Sequence, residues 1–116
     1  MEEKKSCSVV INGIEYVRRE TLTENYVIVR TYSAGVFAGN LMSRDGKEVV
    51  INNARRIWYW KGAASLSQLA MEGTKAPQKC KFTVPVSHLI LTDVIEYLAV
   101  TKQALASIKG TPTWKK

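Results

Sequence analysis

The residues of this sequence that are best suited to chemistry are arginines placed beside aromatic side chains. Arg55 and Arg56 precede Trp58 and Trp60, and Arg30 interrupts the apolar and aromatic segment 26–32. A guanidinium group donates charge-assisted hydrogen bonds to phosphate and stacks on aromatic or purine faces. The pattern is typical of a nucleotide-binding surface, although an edge strand with its arginines in solvent has the same pattern. The residue types that such a site needs are Arg30, Arg55, Arg56, Trp58, Trp60 and Phe82.

Groups for catalysis or metal binding are poorly represented. His88 is the lone histidine and lies in no nucleophile motif, while the carboxylates are scattered along the chain. Cys7 and Cys80 are far apart and lack the Cys/His spacing of a metal site, which favours two reduced thiols. The sequence therefore predicts no catalytic residue, no metal site and no cofactor, and favours a binding protein over an enzyme.

The charge balance favours an anionic partner. Seventeen lysines and arginines outnumber ten acidic residues, and the formal net charge is +7. Nucleic acids, nucleotides and acidic proteins all satisfy this condition. Because the basic residues are spread along the chain, the charge alone does not identify the ligand.

Length and hydropathy predict a compact cytoplasmic protein. A chain of 116 residues fits one principal domain, and its apolar runs are far shorter than the roughly 20 residues that span a bilayer. The first residues lead into no apolar signal segment. Since so small a domain has few deep clefts, we expect a nucleotide pocket between the subunits of a homo-oligomer.

The N-terminal segment is expected to be a separate β-hairpin. Asn12-Gly13 lies between two apolar segments and supplies the residues that a tight hairpin turn requires. Polar turn-forming residues follow at 21–25. We therefore predict a hairpin extension over residues 1–22 and a single α+β ligand-binding domain over residues 23–116.

The next segments predict a meander of antiparallel strands. Strands are expected over residues 26–32, 36–42, 47–52 and 55–60, with a turn at Asp45-Gly46. Asn52-Asn53 is expected to bend or bulge the sheet, and Gly39 marks a bulge or a close backbone approach. In the first strand Arg30 shares a face with Tyr26 and Ile28, so its charge must be paired, reach the rim or meet a ligand.

Two short helices and further extended segments complete the prediction. Small and apolar residues recur at helical spacing over 63–72, and Thr101 is suited to cap a helix over 102–109. Residues 82–86 are expected to be extended, most of 89–100 to be strand, and Trp114 is large enough to dock on the domain. The fold class predicted is α+β, an antiparallel β-sheet meander with two short flanking helices and an N-terminal β-hairpin.

The sequence resembles a small family of phage and prophage proteins, the anti-Thoeris sponges. The likeness extends from about residue 26 to residue 114 and rests on the segments 26–39, 43–50, 53–60 and 62–70. Members of this family capture the cyclic ADP-ribose signal made by bacterial TIR-domain proteins without cleaving it. They also hold cyclic oligonucleotides and assemble as hexamers. The resemblance implies an antiparallel sheet with flanking helices and an anti-defence role in the host cytoplasm.

The resemblance also implies roles for individual residues. Arg30 would hold a pyrophosphate, Ala34 and Phe82 would lie near the base, and Lys109 stands near the place where the family has an arginine. Asn53, Arg55 and Arg56 are expected to be exposed and to form a second nucleotide site at an interface, whereas Trp58 and Trp60 are expected to be scaffold.

We therefore expect the partners to be a cyclic nucleotide signal and further copies of the chain, as a dimer or a hexamer. The alternative is a phage nucleic-acid-binding accessory protein that uses the hairpin together with Arg55 and Arg56.

Overall fold

A computed structural model of the protein describes residues 9–11, 14–16 and 22–115. Within these residues two α-helices and a short 3-10 helix (Pro77–Lys79) accompany the strands, and the confirmed class is α+β with a mostly antiparallel sheet. The elements are β1 (Val9–Ile11), β2 (Ile14–Tyr16), β3 (Leu22–Thr31), β4 (Val36–Asp45), β5 (Glu48–Tyr59), α1 (Leu66–Glu72), β6 (Lys81–Phe82), β7 (Val86–Leu91), β8 (Val94–Thr101) and α2 (Lys102–Gly110).

The strands β1 and β2 form a two-stranded antiparallel sheet. Val9 pairs with Tyr16 and Ile11 pairs with Ile14. The predicted Asn12-Gly13 turn and Cys7 lie outside the described residues.

The main sheet has the order β6-β5-β4-β3-β8, and β7 also pairs with β5. One edge of β5 pairs with β4, while its other edge is divided between two partners. Val49 to Ala54 pair with β7, and Ile57 and Tyr59 pair with β6. The long strand β5 therefore pairs with three strands: β4 along one edge, and β7 and β6 along the other.

A short connection curls this sheet. Thr92 and Asp93 join β7, which pairs with β5, to β8, which pairs with β3. At this corner the amide of Val94 donates to the carbonyl of Lys47, which lies in the turn between β4 and β5. The sheet consequently has a concave inner face and a convex outer face.

The middle of β3 is buried on both faces, which explains why Tyr26, Val27, Ile28 and Val29 form a continuous apolar and aromatic segment. Val27 and Val29 point to the inner face, whereas Tyr26 and Ile28 point to the outer face, as the period of two predicts. The inner core consists of Val27, Val29, Phe37, Val49, Ile51, Ala54, Leu91 and Val94. The outer core consists of Tyr26, Ile28, Ala38, Ile57, Leu69, Ala70, Cys80, Phe82, Val100, Ala104 and Ile108.

A bulge lies where the backbones of the paired strands β4 and β5 approach each other closely, at Gly39. The register shifts between Ala38 and Asn40, and Asn53 adopts a φ of 52°. A Cβ at Gly39 would lie 2.9 Å from the carbonyl oxygen of Asn52 and 3.1 Å from the Cα of Ala54. Gly39 thus permits the close approach predicted at this position, and β5 continues through the bulge as one strand.

The helices are capped by side chains and cover the outer face. Thr101 Oγ1 accepts from the amide of Ala104 and donates to the carbonyl of Met71, which joins the start of α2 to the end of α1. Helix α1 begins at Leu66, three residues later than predicted, because Ser65 Oγ accepts from the amide of Gln68 and fixes the helix start there.

Candidate functional site

A groove of about 490 Å³ opens beside the inner core and is a candidate binding site. This volume lies within the range of about 300–1,000 Å³ that is typical of small-molecule pockets. Its floor is apolar, and two cationic side chains and two aromatic rings border it. The lining residues are Phe37, Ala54, Arg56, Thr83, Val84, Val86, Leu89, Trp114 and Lys115.

Arg56 provides an exposed positive charge over the aromatic floor of this groove. It pairs with Phe37 across β4 and β5, and its guanidinium carbon lies 4.8 Å from the centroid of the Phe37 ring. Thr83 fixes the main chain of Arg56, because its Oγ1 accepts from the Arg56 amide and its own amide donates to the Arg56 carbonyl. The strand backbone is therefore held firmly while the guanidinium remains accessible.

The chain end forms one wall of the groove. Thr113 pairs in parallel with Phe82, and the amide of Trp114 donates to the Phe82 carbonyl at 2.8 Å. The ring of Trp114 stacks on that of Trp58 with centroids 6.4 Å apart, and Lys81 Nζ lies 5.3 Å from the Trp114 ring. The docking of Trp114 that its size predicted is thus observed.

Arg55 is buried, and the expectation that it is exposed is wrong. Only 5% of the residue is accessible, and its guanidinium donates to the carbonyls of residues 82, 83, 108, 111 and 112. Burial lowers the pKa of Arg55, and the nearby Tyr26 opposes this shift. With its donors directed to backbone oxygens, Arg55 has a structural role rather than the predicted exposed one.

A second cavity of about 330 Å³ lies beside the end of α2. It brings together Asn53 and Lys109, which the sequence analysis had assigned to different sites, and Arg55 also borders it. Burial raises the pKa of Tyr26, another lining residue, to about 12, against a smaller opposite effect of the Arg55 charge. Lys109 Nζ lies 6.0 Å from the centroid of the Tyr26 ring.

The four residues that the resemblance assigned to the principal site are not brought together. Arg30 forms an exposed ion pair with Glu96 at 2.5 Å, and Ala34 is exposed in the turn after β3. Phe82 is completely buried, so the expectation that its ring is accessible to a base is wrong. Lys109 lies beside Tyr26. Tyr26 precedes Arg30 by four residues in β3, and four residues of a strand extend over about 13 Å.

The two tryptophans of β5 and its continuation have different surroundings. Trp60 packs against the outer core and donates from Nε1 to the carbonyl of Ala63, as expected of scaffold. Trp58 is 63% exposed and stacks on Trp114, so the scaffold interpretation is wrong for this residue.

The described residues that line the groove do not include His88. His88 is exposed, and its Nδ1 lies 3.0 Å from Asn52 Oδ1. Within residues 9–11, 14–16 and 22–115, no group of His, Cys, Asp and Glu side chains is arranged to hold a metal ion. In this same part of the chain, no helix is long and apolar enough to cross a membrane.

Sequence reasoning missed Phe37 and Lys115 as parts of the candidate site. The predicted Asp45-Gly46 turn gives an approximate pairing of β4 with β5, which would have indicated that residue 37 lies near residues 54–56. Two irregularities, one between Ala38 and Asn40 and one between Leu41 and Ser43, shift the register. For Lys115, no sequence pattern marks the residue beyond its position next to Trp114.

A family model described as "Domain of unknown function (DUF6948)" matches residues 24–108. No curated protein and no solved structure matches the chain. The wall formed by residues 111–115 lies beyond the residues that the family model covers.

Proposed function

This chain belongs to the DUF6948 family, a domain of unknown function, and we propose that it binds and sequesters a cyclic nucleotide without cleaving it. The ligand class is a cyclic ADP-ribose-type molecule or a cyclic oligonucleotide, held in the Arg56 groove. The anti-defence role, the phage origin and the host cytoplasm as the place of action rest on the sequence resemblance alone.

The observation that carries this proposal is the combination of charges and rings at the groove. Arg56 and Lys115 are cations, and Trp114 supplies an exposed aromatic ring beside the same apolar floor, while the buried Phe37 ring lies beneath the Arg56 guanidinium. A nucleotide needs both kinds of contact, since its phosphates bind cations and its base stacks on rings. The net charge of +7 also favours an anionic ligand.

The side chains that line the groove favour binding over hydrolysis. Among the described residues that line the groove there is no histidine, carboxylate or thiol, and Thr83 uses its hydroxyl to accept from the amide of Arg56. A nucleophile of this kind needs an adjacent general base to become reactive. The proposal is therefore a reversible complex in which the signal molecule remains intact.

A second copy of the chain would complete the site. Val84 and Val86 line the groove and yet are 49% and 48% exposed. Covering such side chains is favourable by about 25 cal/mol per Å² of apolar surface. We therefore include a homo-oligomer, a dimer or a hexamer, in the proposal.

Native mass spectrometry and titration calorimetry test this function together. The purified protein is measured for its assembly mass and for co-purified ligand, and is then titrated with cyclic ADP-ribose isomers and cyclic di- and trinucleotides. After heating, chromatography should recover the bound nucleotide unchanged. Failure of all of these nucleotides to bind, or recovery of a hydrolysed product, would overturn the proposal.

A matched pair of variants locates the site. Arg56→Ala should weaken binding at least tenfold, about 1.4 kcal/mol, because it removes the guanidinium from the groove. Arg30→Ala removes the same charge from the exposed pair with Glu96 and should leave the affinity within about twofold. The opposite result would return the site to Arg30 and contradict the proposed groove.

One feature favours a second candidate function, the binding of single-stranded nucleic acid. The exposed Trp58–Trp114 stack lies beside Lys81, and such aromatic and basic surfaces bind successive bases and phosphates. In that case affinity for oligonucleotides would fall steeply with salt, and Trp58→Ala would reduce it. Retention of cyclic nucleotide binding by Trp58→Ala would separate the two functions.

A further inference from the structure

We propose that Arg55 is a positioning residue whose buried guanidinium holds the chain end, residues 111–115, as the wall of the Arg56 groove. The ligand-binding part of this inference rests on the proposed function. The positioning of the chain end is a property of the folded protein that can be measured without a ligand.

The hydrogen bonds of Arg55 join β5 to three other parts of the chain. Its Nη1 donates to the carbonyl of Ile108 in the last turn of α2 at 2.8 Å and to that of Thr111 at 3.1 Å. Its Nη2 reaches the carbonyls of Phe82 at 3.2 Å and Pro112 at 3.5 Å. One side chain therefore connects β5, β6, the end of α2 and the beginning of the wall.

The contacts of Arg55 suit its forked, permanently charged side chain. The carbonyls at the C-terminal end of a helix carry partial negative charge and lack intrahelical donors, so a cation there is favourable. Arg55 also lies over the Phe82 ring, with its guanidinium carbon 5.4 Å from the centroid. A lysine has a single ammonium group and cannot reproduce this planar set of donors.

The same structural unit connects Arg55 to the groove on the opposite face of β5. The carbonyl of Thr83 accepts from Arg55 Nε at 3.0 Å, while the amide and hydroxyl of Thr83 bond to the main chain of Arg56. Phe82 accepts both from Arg55 and from the amide of Trp114. Through Thr83 and Phe82, the buried Arg55 thus holds the Trp114 wall at its distance from Arg56.

Two readouts in the full chain test the positioning without ligand. The stacked Trp58–Trp114 pair should give an exciton-coupled circular dichroism signal, and the Trp114 amide should resist hydrogen exchange. Arg55→Lys should lose the signal and accelerate Trp114 exchange while the sheet still unfolds cooperatively. Ile28→Val, a core variant on central strand β3, should keep both features.

A second variant keeps the test informative if Arg55→Lys does not fold. Trp58→Ala changes an exposed residue and removes only the stacking partner of Trp114. If Arg55 holds the wall, the Trp114 amide should remain protected in this variant. Loss of protection in Trp58→Ala, or an unchanged exciton signal in Arg55→Lys, would overturn the inference.

The effect on binding is measured with cyclic ADP-ribose as the probe. At a temperature where each variant is folded, Arg55→Lys should weaken binding about tenfold and Ile28→Val should not change it beyond about twofold. If the unmodified protein binds no nucleotide, the proposed function fails, whereas the dichroism and exchange measurements still decide whether Arg55 holds the wall.

Discussion

Phe37 and Arg56 face each other directly across β4 and β5, and the guanidinium carbon of Arg56 lies 4.8 Å from the centre of the Phe37 ring. Phe37 is buried in the inner core, whereas Arg56 is exposed. One residue pair thus connects the inner core to the surface of the groove.

Replacing the ring while retaining an apolar side chain tests this relationship. Phe37→Leu should cost about 1 kcal/mol of unfolding free energy, because the core remains filled and mainly the cation–π contact is lost. Binding of cyclic ADP-ribose should weaken severalfold, since Arg56 loses the surface that orients it. Urea unfolding and calorimetry measure the two effects, and unchanged affinity would show that the ring does not orient Arg56.

The close approach at Gly39 predicts a large effect of a single methyl group. Gly39→Ala should lower the unfolding free energy by about 2 kcal/mol, because its Cβ would meet backbone atoms of β5. Gly110→Ala is the control, since no atom lies within 4 Å of a Cβ at that position. It should be neutral or slightly stabilising in chemical denaturation. Equal stability of the two variants would contradict the packing described at the bulge.

The left-handed backbone of Asn53 provides a different test. Asn53→Ala should destabilise the protein by about 1 kcal/mol, because alanine lacks the short polar side chain that makes asparagine tolerant of a φ of 52° and because the Asn53 bond to Asn40 Oδ1 is lost. Asn53→Gly loses the same bond but tolerates this backbone conformation. Thermal unfolding should therefore rank glycine above alanine at this position, and the reverse order would argue against the bulge geometry.

Tyr26 predicts how stability changes at alkaline pH. Its pKa rises from 10 to about 12 on folding, so the unfolded chain loses the proton first as the pH increases. Unfolding free energy should therefore fall between pH 10 and about 12, by about 3 kcal/mol in total from this group. Tyr26→Phe should remove this part of the decline, whereas Tyr59→Phe, at an exposed position, should not.

Local signals in the sequence predicted much of the fold. Asn53, Thr101 and Gly39 each mark their structural feature through a property of the residue itself: tolerance of positive φ, a capping hydroxyl and the absence of a Cβ. The alternation of β3 likewise identified which side chains share a face. Such features depend on neighbouring residues and can be read without knowing the tertiary structure.

The surroundings of the arginines depend on distant parts of the chain and could not be predicted in this way. Arg30 was expected to be paired, at the rim or bound to a ligand, and only the pairing of β3 with β8 places Glu96 beside it. Arg55 was expected to be exposed as part of a second nucleotide site. Its actual partners are backbone carbonyls, which every residue carries and which no sequence pattern identifies.

The position of β3 between β4 and β8 has a consequence for folding in the cell. Strands β3, β4 and β5 follow one another and can pair by local hairpin closure. The pairing of β3 with β8 is long-range, since it joins Ile28 to Leu98. Long-range pairings of this kind are slow to form. During synthesis on the ribosome one edge of β3 therefore stays unpaired until β8 emerges, and this interval is when the nascent chain is most exposed to aggregation or chaperone capture.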